Sequence, residues 1–362
     1  MKVHLIAGAR PNFMKIAPML REGISRAGVD CRVVHTGQHY DHAMSQAFFE
    51  DLGIREPDHY LRGGSGTHAE QTARIMVAYE ALCMAERPDL AVVVGDVNST
   101  LACTVAAKKL GIRVAHVEAG LRSRDMTMPE EINRMVTDSI SDMLFATEKS
   151  GVDNLLAEGK PHDRVHLVGN IMVDNLLYQK EKLDNGNGRE FASTKLRGKL
   201  DGYWFMTLHR PSNVDARDTL DGIVGAVNQL AETLPVVFAV HPRTRASIGK
   251  FGTRLSANVH TLPPLGFTEA LFWWRDARCV LTDSGGLQEE TTALGVPCVT
   301  IRENTERPVT VELGTNVLAG VLTDGILAAV DRSIAKARNG ARIPPMWDGQ
   351  SSRRIWDVIC AN

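Results

Sequence analysis

The 362-residue chain is 44% hydrophobic and 23% charged, with 41 Lys and Arg against 43 Asp and Glu. Such a composition belongs to a folded globular protein long enough for two cores, and it excludes the disordered and fibrous classes. A net charge of −2 supplies no broad cationic field for nucleic acid or an anionic membrane. An anionic ligand therefore has to be held by local cations and backbone amides. No apolar run nears the ~20 residues of a membrane span. The chain opens on the strand-like run Val3–Ala7 with no basic, apolar leader pattern before it, so a cytoplasmic protein is expected. The six cysteines, Cys31, Cys83, Cys103, Cys279, Cys298 and Cys360, form no CxxC pair and have no His at ligand spacing. They read as small hydrophobes, and no structural zinc or other metal is expected.

Short apolar runs alternate with amphipathic segments along the chain. Strands are predicted at Lys2–Ala7, Cys31–His35, Leu90–Val94, Arg113–Val117 and Met143–Ala146, with helices at Met14–Ala27, His68–Glu86 and Ser99–Leu110 between them. The second half repeats the theme, with strands at Tyr203–Leu208, Val236–Val240, Val259–Leu262, Cys279–Leu281 and Cys298–Ile301 and helices at Leu220–Thr233 and Leu287–Leu294. Near-continuous apolar strands separated by helices imply parallel sheets covered on both faces. The expected class is α/β, with two doubly wound domains and ligands at the carboxyl ends of the strands. Asp184–Gly188, inside the charged stretch Gln179–Lys199, reads as a linker or a surface loop, with a tight turn at Asn187-Gly188 either way.

Six segments place polar chemistry at strand ends. Gly8-Ala9-Arg10-Pro11-Asn12-Phe13-Met14-Lys15 follows the first strand; glycine permits a sharp turn, Pro11 suits a helix start, and Arg10 and Lys15 flank a natural anion site. It matches neither GxGxxG nor a Walker loop, so no dinucleotide is indicated. Asp96, in Val93-Val94-Gly95-Asp96, ends a buried strand and either faces the ligand crevice or caps the next helix. Glu118, within Ala115-His116-Val117-Glu118-Ala119-Gly120, is costly to bury ionised unless it is paired or functional; Arg122 is the plain candidate for a partner. Pro129-Glu130-Glu131 is an ordinary helix opening. His209-Arg210 ends a strand where charge-assisted hydrogen bonds to phosphate are possible. Thr282-Asp283-Ser284-Gly285-Gly286 leads from strand to helix and bares backbone amides for a diphosphate. Glu290, one to two turns on, is placed to accept from both hydroxyls of a ribose, and Arg307 adds a cation downstream.

Together, GARPNFMK, TGQHYD, VVGDVNST, AHVEAGLR, MPEEINR, TLHRPSN, TDSGGLQEE and NTERP, in that order over residues 8–308, resemble the non-hydrolysing UDP-N-acetylglucosamine 2-epimerase family. The resemblance implies a GT-B-like fold, in which two Rossmann-like domains enclose a cleft. It places the first domain at 1–169, completed by a C-terminal helix over 350–362 that includes Ser352–Cys360, and the second at 170–349. Carried over residue by residue, the family's acid/base carboxylates fall on Asp96, Glu118 and Glu130. Its UDP-binding positions fall on Arg10, Lys15, His209, Ser284, Gly285, Gly286, Glu290 and Arg307, with Arg134 a further candidate near the sugar. The resemblance also implies a UDP-sugar ligand, no redox cofactor, no nucleic-acid or membrane partner, and a homodimer. Many members read HRxEN where this chain has His209-Arg210-Pro211-Ser212-Asn213, so the contact of that glutamate is not carried over. The stretch after Gln38-His39 also differs from members activated allosterically by their own substrate, and that regulation is not carried over either.

The C2 hydrogen of an N-acetylhexosamine is not adjacent to a carbonyl, so direct deprotonation is difficult. Elimination solves the problem: the C1–O bond to UDP breaks, C2–H becomes acidic, and a carboxylate removes the proton. The 2-acetamidoglucal and UDP that result are the intermediate attributed to the family. Three other readings remain beside it: a 2-epimerase of a related sugar such as a 2,3-diacetamido uronate, a GT-B glycosyltransferase, and an inert UDP-sugar sensor.

Overall fold

The computed structural model describes residues 1–37, 46–186 and 191–362. Gln38–Asp41 of the TGQHYD motif and the expected Asn187-Gly188 turn lie outside the described residues. The chain divides into two compact units, Met1–Leu177 with Pro345–Asn362, and Tyr178–Pro344.

In the first unit, β1 (Lys2–Ala7), β2 (Asp30–His35), β3 (His59–Tyr60), β4 (Leu90–Val94), β5 (Arg113–Ala119), β6 (Met143–Ala146) and β7 (Val165–Leu167) form one parallel sheet. Its order is β3-β2-β1-β4-β5-β6-β7, so the winding reverses between β1 and β4. In the second unit, β8 (Trp204–Leu208), β9 (Val236–Val240), β10 (Val259–Leu262), β11 (Val280–Thr282), β12 (Cys298–Thr300) and β13 (Asn316–Leu318) repeat the plan in the order β10-β9-β8-β11-β12-β13, reversing between β8 and β11. Both sheets are doubly wound and parallel, as the alternation of apolar runs and helices predicts. Every residue of β4 and β9 is buried, which explains why those strands read as unbroken apolar runs. The short strands β3, β7 and β13 were not anticipated; two or three residues carry too little periodicity to stand out.

The C-terminal helix Ser351–Ala361 belongs to the first unit. Asp174 fixes its start, accepting from the N–H groups of Ser351 (3.1 Å) and Ser352 (2.7 Å). Trp356, fully buried, packs on the helix Arg10–Ile24 and donates its indole N–H to Met19 O at 2.8 Å. Gly23 makes the approach possible, because a Cβ there would lie 2.5 Å from the Trp356 ring. Five cysteines are buried and Cys360 is exposed. No helix among the described residues is long and apolar enough to cross a membrane.

Trp356→Ala should remove a whole buried indole and its hydrogen bond, lowering stability by about 3–5 kcal/mol. Urea unfolding followed by circular dichroism measures this; a loss below about 1 kcal/mol would show that the helix is not anchored there.

Candidate active site

At the carboxyl edge of the first sheet, the chain must pass from β1 into a helix without stranding its amides. Asn12 does this from inside the helix. Its side-chain oxygen accepts from the N–H groups of Gly8 (3.2 Å) and Ala9 (3.0 Å), and its Nδ2 donates to Val94 O at 3.2 Å. One side chain thus starts the helix and ties the ends of β1 and β4 together. With Asn12 capping and Pro11 in the first turn, the helix begins at Arg10, four residues before the predicted start at Met14. Arg10 is exposed, and its guanidinium lies 5.2 Å from the Phe48 ring. Lys15 reaches the end of β4: its ammonium pairs with Glu118, and a Cβ at Gly95 would lie 3.1 Å from it. Gly95 also sits at φ +68°, so both space and backbone call for glycine.

Glu118 departs from strand geometry. Its φ is +72°, and the pairing of β5 with β6 shifts register between Val117 and Ala119. A bulge re-aims a side chain, and a positive φ costs a residue such as Glu about 1–3 kcal/mol, so the surroundings must hold it. The buried carboxylate is matched by Lys15, not by Arg122. Arg122 lies past Gly120 and pairs with Asp138 (2.8 Å) and Glu158 (2.7 Å).

Asp96 does not cap the helix Asn98–Lys109. Val97 is its N-cap residue, and the Asp96 carboxylate pairs with Arg134. Asn133 Nδ2 donates to the Asp96 carbonyl at 2.9 Å. Pro129 does open the helix Pro129–Ile140, but the two glutamates after it diverge. Glu130 is exposed and makes no hydrogen bond or ion pair with a described residue. Glu131, 2% exposed, accepts from Ser123 N–H (2.8 Å), Ser123 Oγ (3.0 Å) and Arg124 N–H (3.0 Å). Burial works to raise its pKa, but those donors outweigh it and hold the carboxyl below its ordinary value. Glu131 thus anchors the loop before the helix and leaves Glu130 as the acid open to a ligand.

In the second unit, β8 and β11 end side by side. Asp283, which the sequence reading passed over, is fully buried there. It accepts from the N–H groups of His209 (2.9 Å) and Arg210 (2.7 Å), from His209 Nδ1 (2.8 Å) and from Asn213 Nδ2 (3.2 Å). Burial would raise its pKa; the imidazole and the amides prevail and lower it. With Nδ1–H committed to Asp283, His209, 43% exposed, has Nε2 available to a ligand. An acid directly before Ser-Gly-Gly, beside a strand ending in His, was the signal that would have found Asp283.

The helix Gly285–Leu294 follows, with Ser284 as an N-cap residue whose side chain makes no capping bond. The amides of Gly285 and Gly286 therefore open onto an uncapped helix start, a site suited to an anion. Glu290 is 8% exposed, and its Oε1 lies 3.6 Å from where a Cβ on Gly286 would stand. Burial, and secondarily repulsion by Glu289, pushes its pKa up to about 8. Arg307 Nε pairs with Glu289 at 2.9 Å. Arg210 lies 3.4 Å from Glu306, which also pairs with Arg302 at 2.8 Å. Burial opposes the charge of Glu306, yet its Arg302 hydrogen bond leads the groups that bring it down to about 2.

The structure therefore brings Lys15 to Glu118 and Arg134 to Asp96 in the first unit. In the second it gathers His209, Ser284, Gly285, Gly286 and Glu290 around two adjacent strand ends, with Arg307 on Glu289. Carboxylates at a strand end can take up protons, and an uncapped helix start with an imidazole beside it suits an anion.

The family model for UDP-N-acetylglucosamine 2-epimerase matches residues 22–360. The UDP-N-acetylglucosamine 2-epimerase of Methanocaldococcus jannaschii is 41% identical over 366 residues, with 99% of each chain covered. The UDP-2,3-diacetamido-2,3-dideoxy-D-glucuronate 2-epimerase of Pseudomonas aeruginosa is also 41% identical, over 363 residues and 99% of each chain. The crystal structure of the M. jannaschii enzyme in complex with UDP-GlcNAc and UDP covers all of both chains, with a TM-score of 0.86 and 39% identity. The α/β class expected from the strand pattern is borne out by these matches. By the family model and by identity over nearly its full length, the chain belongs to the UDP-N-acetylglucosamine 2-epimerase family.

Proposed function

We propose that this protein interconverts UDP-GlcNAc and UDP-N-acetylmannosamine without releasing free sugar. The carrying observation is the uncapped Ser284-Gly285-Gly286 helix start with buried Glu290 behind it, in a chain 39% identical throughout to an enzyme solved with UDP-GlcNAc and UDP. In this reading the amides of Gly285 and Gly286, with His209 Nε2, hold the diphosphate, assisted by Arg10, Lys15 and Arg307. Glu290 accepts from the ribose hydroxyls. Asp96, Glu118 and Glu130 serve the sugar, with Arg134 beside them.

The chemistry follows from these placements. The C1–O bond breaks and its electron pair leaves on the β-phosphate, whose charge the helix start stabilises. A carboxylate takes the C2 proton, and the electrons of that C–H bond form the C1–C2 double bond of 2-acetamidoglucal. A proton then returns to C2 from the opposite face, and the UDP oxygen adds back at C1. Lys15 and Arg134 pair with Glu118 and Asp96 and orient them.

The same reading makes the protein a cytoplasmic homodimer that serves cell-surface polysaccharide synthesis. Exposed apolar side chains on two helices of the first unit, Val77 and Met84 on His68–Ala85 and Ile132, Met135 and Val136 on Pro129–Ile140, support a partner there. A second substrate, a UDP-2,3-diacetamido uronate, is favoured by the equal identity to the P. aeruginosa enzyme. Turnover of that sugar with none of UDP-GlcNAc would select it.

In deuterated water, UDP-GlcNAc should be converted to its C2 epimer with deuterium at C2 by NMR. Asp96→Asn and Glu118→Gln should each lower turnover by about 10²–10⁴-fold with UDP affinity retained. An epimer without deuterium, or variants with full turnover, contradicts the reading.

Glu290 gives a pH prediction. Below about pH 8 its buried carboxyl keeps its proton in the unliganded protein, whereas accepting from a ribose diol requires the carboxylate. UDP affinity should therefore rise with pH toward 8 and then level off, with a proton released on binding. The stability of the unliganded protein runs the other way. The contribution of this group is complete below the ordinary carboxylate pKa and is lost as pH rises through about 8. Glu290→Gln should flatten both profiles and weaken UDP about tenfold or more at pH 8, since hydrogen bonds to a charged group are worth about 1.5–3 kcal/mol. Calorimetric titration of UDP in buffers of different ionisation enthalpy checks this; unaltered affinity in the variant removes Glu290 from the site.

A further inference from the structure

Behind the two strand ends that carry Asp96 and Glu118 lies a buried polar network to which the proposed chemistry assigns no role. His116 on β5 and Asp138 on the helix Pro129–Ile140 are fully buried, and the Arg122 side chain is 5% exposed. The His116 ring bonds Asp138 Oδ1 through Nδ1 at 2.7 Å and the Gly95 carbonyl through Nε2 at 2.8 Å. It thus links the carboxylate to the end of β4. The other Asp138 oxygen accepts from Gly120 N–H at 3.0 Å and from Arg122 at 2.8 Å.

Each arm ends beside a proposed reactive acid. Gly95 directly precedes Asp96, and Gly120 is two residues beyond Glu118. Gly120 has little room to relax: its φ is +81°, and a Cβ there would meet Gly151 O at 2.2 Å. A fixed Gly120 N–H therefore helps to hold the left-handed backbone at Glu118.

We propose that Asp138 is a positioning residue for the epimerisation, setting the Asp96 carboxylate relative to the Glu118 carboxylate through His116 to Gly95 on one side and Gly120 N–H on the other. The proposal rests on the epimerase reading. Proton removal at one face of C2 and return at the other needs both acids placed to a fraction of an ångström, and a misplacement of about 1 Å is worth roughly 100-fold in rate. The carboxylate joins both arms. Leucine at 138 has a similar shape and offers no acceptor to either.

The test is Asp138→Leu, a change of similar shape that removes the acceptors of both arms. Turnover per UDP-binding site, KM for UDP-GlcNAc, UDP affinity and the unfolding midpoint are measured together. The expected result is a kcat lowered about 10- to 100-fold with UDP affinity within twofold of the parent. A lowered unfolding midpoint with kcat per binding site unchanged is what a merely structural buried acid produces, and it overturns the proposal. Should Asp138→Leu fail to fold, His116→Gln cuts the arm to Gly95 while Asp138 still accepts from Gly120 and Arg122. The same loss of kcat is expected there, and unchanged kcat again overturns the proposal. The parent protein is the control for the reading beneath: if it epimerises while the variants match it, only the positioning role fails; if it does not epimerise, the functional reading fails first.

Discussion

In a parallel sheet wound in both directions from its middle, two neighbouring strands send their crossover helices to opposite faces. The backbone just past those two strand ends is the place where amides, helix starts and side chains meet without a helix lying over them. Here that reversal occurs twice, at β1/β4 and at β8/β11. The first pair leads into Gly8–Asn12 and Gly95-Asp96, the second into His209-Arg210 and Asp283-Ser284. The repetition gives the protein two polar edges of different chemistry on one architectural plan.

What distinguishes the edges is how each accommodates buried charge. A carboxylate taken out of water must be met by a cation or by several donors, or it keeps its proton. Glu118 is met by Lys15, Asp96 by Arg134, and Asp283 by an imidazole and backbone amides. Glu290 is met by none of these and keeps its proton to about pH 8. The first edge thus holds acids paired with cations. The second holds its fixed acid, Asp283, behind an uncapped helix start, which favours an anion in front of it.

Much of this was legible in the chain. Buried strands announce themselves as unbroken apolar runs, and Ser284-Gly285-Gly286 and Pro129-Glu130 mark helix starts by composition alone. Pairings were not legible, because they depend on which helix crosses which strand. Arg122, four residues from Glu118, looked like its partner; Lys15, more than a hundred residues away, is the partner because its helix runs alongside the end of β4. The bulge at Glu118 leaves no mark on the residue pattern, being held from Gly120 and Asp138. Asp138 lies in no motif that the sequence marks out. The available hint was His116, an imidazole inside an apolar strand, which has to find a partner for each ring nitrogen.

The central claim is that C2 inverts while the bond from C1 to the diphosphate is broken and the UDP stays bound. UDP-GlcNAc carrying oxygen-18 only in the bridge between C1 and the β-phosphorus addresses it most directly, because a freed phosphate terminus turns before it re-adds. Phosphorus NMR should show the label spreading into the non-bridging β-positions at a rate at least matching epimerisation. Complete epimerisation with the label still confined to the bridge would contradict the account.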